Sequence, residues 1–135
     1  MALRYLLDTN TVSYSIKGNP RQVRARLNTV ARSTVALSAF TQAELLYGLA
    51  LNPEASRLRA VIEQYLRDFP VLPWDSAAAA AYGDLRAAQR RKGRPLSHED
   101  LMIAAHALSL DLTLVTSDHV FSLIDGLRTE DWAAG

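Results

Sequence analysis

Short apolar runs alternate with longer stretches of helical period along this chain. The runs at about Tyr5–Leu7, Thr34–Ser38 ("TVALS"), Val71–Trp74 ("VLPW") and Leu112–Thr116 ("LTLVT") have the length and aliphatic character of buried strands. Helical segments fall around Val12–Ile16 and Pro20–Ala31, split by the breaker Gly18-Asn19-Pro20. Others run from about Ala39 to Ala50, past Asn52-Pro53 to Arg67, from a cap at Asp75 or Ser76 to Lys92, and from Ser97 to Leu110. Gly93 and Pro95 close the fifth of these in the usual order. The tail "GLRTEDW" can add an edge strand. Strands separated by helices predict an α/β fold with a central, mainly parallel sheet between helical layers. No repeat, low-complexity linker or second domain interrupts residues 1–135, so one domain is expected.

The segment Leu101–Leu110 is apolar nearly all round and should lie buried against the sheet. An acid at its start, Asp100, is then held by a well-anchored element, as a catalytic group must be. Three more acids sit at comparable places. Asp8 closes "RYLLDTN", Asp118 follows "LTLVTSD", and Glu44 lies in "TQAELLYGLA". Each has a structural explanation of its own. Asp8 can cap a helix, Asp118 lies among turn formers, and Glu44 and Asp100 stand three residues after Thr41 and Ser97, the spacing of a capping box.

Their joint placement points further, because sites in open α/β sheets form beyond the carboxyl ends of the strands. One pair of carboxylates at 4 Å costs about 4 kcal/mol at an effective dielectric of 20. Four gathered together call for a bound cation or raised pKa values. An oxygen-rich cup of this kind suits divalent metals and metal-assisted phosphodiester cleavage. Thr9, Asn10, Ser38, Thr116 and Ser117 are polar neighbours able to orient a carboxylate or a water.

The remaining chemistry narrows the choice. Cys is absent, which excludes disulfides and thiolate catalysis and fits a reducing cytoplasm. His98 and His119 each neighbour an acid, but no His pair has metal-ligand spacing, and His106 reads as a core residue. Serine-nucleophile elbows and phosphate-cradling glycine loops are missing. Before Asp8 the apolar stretch is too short for a signal peptide, and no run reaches the roughly 20 residues of a membrane span, so a cytoplasmic protein is expected. Net charge is only +1, yet Arg90, Arg91, Lys92 and Arg94 form a dense basic cluster, either a solvated helix end or a phosphate-binding surface.

The segments "YLLDTNTVSY", "ALSAFTQAELLYG", "GRPLSHEDLMIAAHAL", "LTLVTSD" and "GLRTEDW", in this order, resemble the PIN-domain toxins of the VapC group. The resemblance implies a PIN-like three-layer α/β/α sandwich and a Mg²⁺- or Mn²⁺-dependent endoribonuclease, the toxin of a type II toxin–antitoxin system. By position it places the catalytic acids at Asp8, Glu44, Asp100 and Asp118. Asp8 and Asp100 match direct metal ligands, and Glu44 and Asp118 act directly or through water. It further implies a VapB-like antitoxin, an RNA substrate with transfer RNA as a frequent target, a homodimer, and toxin–antitoxin hetero-oligomers. Water activated by metal would attack the phosphorus in line and leave 5′-phosphate and 3′-hydroxyl ends.

Two competitors share an acid after the first strand. A haloacid-dehalogenase-like phosphatase needs D-x-D, where this chain has Asp8 and Asn10. A receiver-like Mg²⁺-binding module needs an early acid pair and a phospho-acceptor after its third strand; Asp75 is present there, the pair is not.

Overall fold

The computed structural model describes residues 2–134. Five strands, β1 (Tyr5–Leu7), β2 (Val35–Ser38), β3 (Val71–Leu72), β4 (Thr113–Val115) and β5 (Thr129–Glu130), form one sheet in the order β3-β2-β1-β4-β5. All four pairings are parallel. Six helices alternate with them: α1 (Thr9–Lys17), α2 (Arg21–Thr29), α3 (Ala39–Leu51), α4 (Ser56–Asp68), α5 (Ser76–Arg91) and α6 (His98–Leu110). The expected elements are present, with β3 and β4 shorter than the apolar runs that announce them. Two short 3-10 segments, Arg32–Thr34 and His119–Leu123, were not foreseen.

Every residue of β1 is buried, as a strand covered on both faces requires. The pleat sends Tyr5 and Leu7 to one side with Val35, Leu37 and Val115, where Val12, Val23, Leu45, Leu49 and Ile62 of α1–α4 pack. Leu6 goes to the other side with Ala36 and Leu114, against Leu85 of α5 and Leu101, Ile103, Ala104 and Ala107 of α6. Small residues along α6 let it lie close to the sheet, and its burial matches its all-round apolarity. Fully burying a leucine such as Leu6 contributes roughly 1.5–3 kcal/mol.

The strand order fixes where a cleft can open. From β1 the chain steps outward to β2 and β3, then returns across the sheet to β4 on the other side of β1. Connections leaving β1 and β4 therefore diverge, and the gap beyond their carboxyl ends is the crevice that binds ligands in open α/β sheets. Asp8 and Thr116–Asp118 stand at that gap, held together by the Asp8 N–H donating to the Val115 carbonyl at 3.1 Å.

Candidate active site

Asp8 is the N-cap of α1, its Oδ1 accepting the Thr11 N–H at 2.7 Å. The Thr11 hydroxyl donates to the Val115 carbonyl at 3.0 Å, which locks the start of α1 to β4. Capping and site placement are thus one arrangement, because the same carboxylate also faces a cavity of about 140 Å³. Burial pushes the Asp8 carboxyl above its ordinary value, and the Asp118 charge pushes the same way; hydrogen bonds from Thr11 and Thr116 oppose them.

Asp100 follows the same logic at the start of α6. Ser97 caps the helix and accepts the Asp100 N–H at 3.1 Å, the first half of the expected capping box. Its carboxylate borders the cavity. Burial raises the Asp100 carboxyl first, the Ser97 hydroxyl lowers it, and Asp118 and Glu99 add to the rise.

Glu44 is positioned differently from its expected capping box. The N-cap of α3 is Ser38, whose Oγ accepts the Phe40 N–H at 3.0 Å, so Thr41 lies inside the helix and is buried. Glu44 stands more than a turn into α3, and its Oε1 accepts a hydrogen bond from the Thr9 hydroxyl. Asp118 caps the 3-10 segment by accepting the Val120 N–H at 3.0 Å. Its own N–H donates to Thr116 Oγ1 at 3.1 Å, so the Thr116 hydroxyl sits between two of the acids.

The cavity lining brings together Asp8, Glu44, Asp100 and Asp118, with Asn10 beside them. It also contains Glu99, a fifth acid that the sequence reading passed over. Two acids in the first turn of a helix are explained by its dipole alone, which hid the second one. Phe40, Ile103 and Phe121 form apolar walls, the source of the desolvation felt by the carboxylates. Among the described residues, no Lys or Arg is ion-paired with any of the five.

One expected support, Ser38, and one residue of the basic cluster, Lys92, lie elsewhere. Ser38 is fully buried beneath the sheet end, where it caps α3 and bonds His106 Nδ1 at 2.8 Å, so it belongs to the core. Lys92 is paired with Asp125 at 2.5 Å beside a separate hollow. Arg91 and Arg94 are exposed, and of that cluster Arg90 lines a second cavity. His106 is a buried core residue, as its apolar surroundings suggest.

The donor set is one of hard oxygens, and its repulsion would be relieved by a bound cation, so the chemistry of these residues fits a divalent metal. The carboxylates line the cavity without closing into a finished cage: among the described residues no three His, Asp or Glu are grouped tightly enough to hold an ion by themselves.

The PIN domain family model matches residues 5–127. The chain belongs to the PIN-domain family. Within it, similar proteins include VapC ribonucleases. The "tRNA(fMet)-specific endonuclease VapC" of Shigella flexneri is 41% identical over 97% of this chain and 99% of its own length. "Ribonuclease VapC2" of Haemophilus influenzae is 37% identical over 96% of this chain and 98% of its own. The same fold appears in the crystal structure of DNA-bound VapBC from Salmonella typhimurium, with 40% identity, 96% and 98% coverage, and a TM-score of 0.89. VapBC2 from Rickettsia felis, bound to a promoter DNA fragment, superposes with a TM-score of 0.88 at 30% identity, covering 96% and 99%. PIN membership sets aside the phosphatase and receiver alternatives.

Proposed function

We propose that this PIN-domain chain is the endoribonuclease toxin of a VapBC-type pair, cutting RNA by hydrolysis at the cavity lined by Asp8, Glu44, Asp100 and Asp118. The observation that carries the reading is the convergence of these acids at the β1/β4 gap without a cationic partner among the described residues. Asp8 and Asp100 would hold a Mg²⁺ or Mn²⁺ ion, with Glu44 and Asp118 contributing directly or through water. Such an ion, when bound, neutralises phosphate charge and makes water a stronger nucleophile.

The chain's own groups do the rest. Thr11 and Thr116 fix the Asp8 carboxylate, and Ser97 fixes the turn that carries Asp100. Thr9 holds one oxygen of Glu44, leaving the other to take a proton from an attacking water. Asn10, exposed on the cavity rim, offers an amide donor to a substrate phosphate. Phe40, Ile103 and Phe121 exclude bulk water and strengthen these interactions.

The names of two relatives support a substrate class. Two similar proteins carry tRNA(fMet) specificity in their names, at 41% and 40% identity over nearly the whole chain, so tRNA(fMet) is the first RNA to test. A VapB-like antitoxin is the partner, since the structural neighbours are VapBC complexes. A basic antitoxin side chain placed among the acids would relieve their repulsion and exclude the metal together. No described helix is long and apolar enough to cross a membrane.

Induced expression in a bacterial host should arrest growth, with tRNA fragments ending in 5′-phosphate and 3′-hydroxyl. Asp100→Asn should grow normally at equal protein level. Arrest by the Asp100→Asn protein, or intact RNA during arrest, would refute this assignment.

A further inference from the structure

Tyr82, Arg86 and Arg90 follow one another at four-residue spacing on α5, so their side chains share one face of the helix. Arg86 Nη1 donates to the Tyr82 hydroxyl at 3.2 Å, and that hydroxyl is hydrogen-bonded to His98 Nδ1 at 2.9 Å. Arg86, Arg90 and His98 line a second cavity, about 260 Å³, together with Pro95, Leu96 and Leu101. Among the described residues neither arginine is ion-paired, whereas nearby Lys92 is neutralised by Asp125. Trp74 meets Tyr82 edge to face, with ring centroids 6.1 Å apart, at the upper end of the arginine row.

This cavity and the acidic one flank the same turn of helix. His98 and Leu101 of α6 face the basic side, and Glu99, Asp100 and Ile103 face the acidic side. An α-helix with its side chains is roughly 10 Å across, and the two cavities use different faces of that turn. An RNA strand laid across that turn would meet like charge at the acids and opposite charge at the arginines. Paired guanidiniums beside an aromatic surface are the combination that grips a single-stranded backbone.

We propose that Arg86, Arg90 and His98 seat one backbone phosphate of a single-stranded RNA segment whose scissile bond lies over the acidic cavity. The inference rests on the nuclease reading and adds the strand's path: across the first turn of α6, toward α5. Arg86 and Arg90 supply the charge, His98 is held in place by Tyr82, and the seat offsets the repulsion of a polyanion by five carboxylates. Of the basic cluster read from the sequence, this selects Arg90 and adds Arg86 and His98.

The test uses a short fluorescein-labelled single-stranded oligoribonucleotide and the whole protein. Binding is followed by anisotropy in EDTA over a salt series, and cleavage in Mn²⁺. The Arg86→Gln/Arg90→Gln double variant should bind about tenfold more weakly, and the slope of log K against log salt should fall by about 0.7, the value for one phosphate on a single strand. In cleavage its KM should rise about tenfold while kcat stays within about twofold, the mark of lost uniform binding. Arg86→Lys/Arg90→Lys should keep the slope, which separates lost charge from a disturbed helix. Arg57→Gln, on α4 in the opposite layer, should change neither measure. An unchanged slope and KM in the Gln pair of an RNA-cleaving protein would overturn the seat alone. If the protein leaves RNA intact while the Gln pair still lowers the salt slope by that amount, the phosphate seat is supported and the nuclease reading is defeated.

Discussion

Thr9 donates its hydroxyl proton to Glu44 across the interface between α1 and α3, joining the residue after Asp8 to an acid from a different strand connection. Thr9 Oγ1 also lies 3.3 Å from the buried Thr41 hydroxyl, so the contact is anchored on the α3 side. Side chains from two separate crossovers are thereby set against each other before any ligand arrives, which is what preorganisation requires.

Thr9→Val keeps the shape of the side chain and removes the donor. RNA cleavage by this variant should fall by about one order of magnitude in kcat, the scale of one lost hydrogen bond to a charged group. Thermal unfolding should stay close to wild type. Single-turnover kinetics check the claim, and unchanged kcat would show that Glu44 needs no orientation.

Asp8→Asn should stabilise the metal-free protein while abolishing cleavage. Asn caps a helix as well as Asp does, so α1 keeps its cap. The native Asp8 carboxyl titrates above its unfolded value of 3.8, mainly through burial. Folding therefore favours its protonated form. Its penalty sets in as pH rises from 3.8 through the raised native value, and is complete above it. At neutral pH in EDTA the variant should melt a few degrees higher, about the effect of 1 kcal/mol in a chain of this size. The gap should close as pH falls toward 3.8. An equal or lower melting temperature at pH 7 counts against a destabilising buried carboxylate at Asp8.

His106 should impose the opposite trend. Burial holds its imidazole below the ordinary value of 6.5, although Asp75 and the Pro73 carbonyl pull the other way. The unfolded chain binds the proton more readily, so stability is full above 6.5 and declines as pH falls from 6.5 through the lowered native value. Urea unfolding of wild type and His106→Gln between pH 7.5 and 5, roughly the span in which histidines change charge, should show a shrinking wild-type advantage. A constant difference would mean that His106 does not titrate in that way.

Gly18 ends α1 with φ of 69°, in the left-handed region. A Cβ there would also come within 3.0 Å of Arg24 Nη1, whose guanidinium satisfies the Ser15 and Ile16 carbonyls. Gly18→Ala should cost about 1–2 kcal/mol from the backbone conformation, measured by chemical denaturation. Cleavage by the folded fraction should be unaffected.

Asp8 was legible in the sequence because a strand-end acid before a helical run has few places to point. Asp100 was legible because an apolar helix behind it fixes its position. Glu44 lines the same cavity as the other acids, but its local pattern points to a different cap from the one α3 has. The Thr41 spacing suggested a capping box, while Ser38 takes the cap, in keeping with the helix start expected at Ala39. That same role removes Ser38 from the site, since its side chain faces His106 under the sheet. Ion pairing between Lys92 and Asp125, 33 residues apart, and the pairing of Tyr82 with His98 are tertiary facts that no local pattern announces.

The central claim, that the acids cut RNA with a divalent ion, is tested most directly by one assay. Purified protein is incubated with tRNA(fMet) in Mn²⁺ or Mg²⁺, in EDTA, and as Asp8→Asn and Asp100→Asn. The account predicts endonucleolytic fragments with metal, none in EDTA, and losses of at least about 100-fold in both variants, each of which removes a carboxylate proposed to hold the ion. Fragments of equal yield in EDTA, or from both Asn variants, would contradict it.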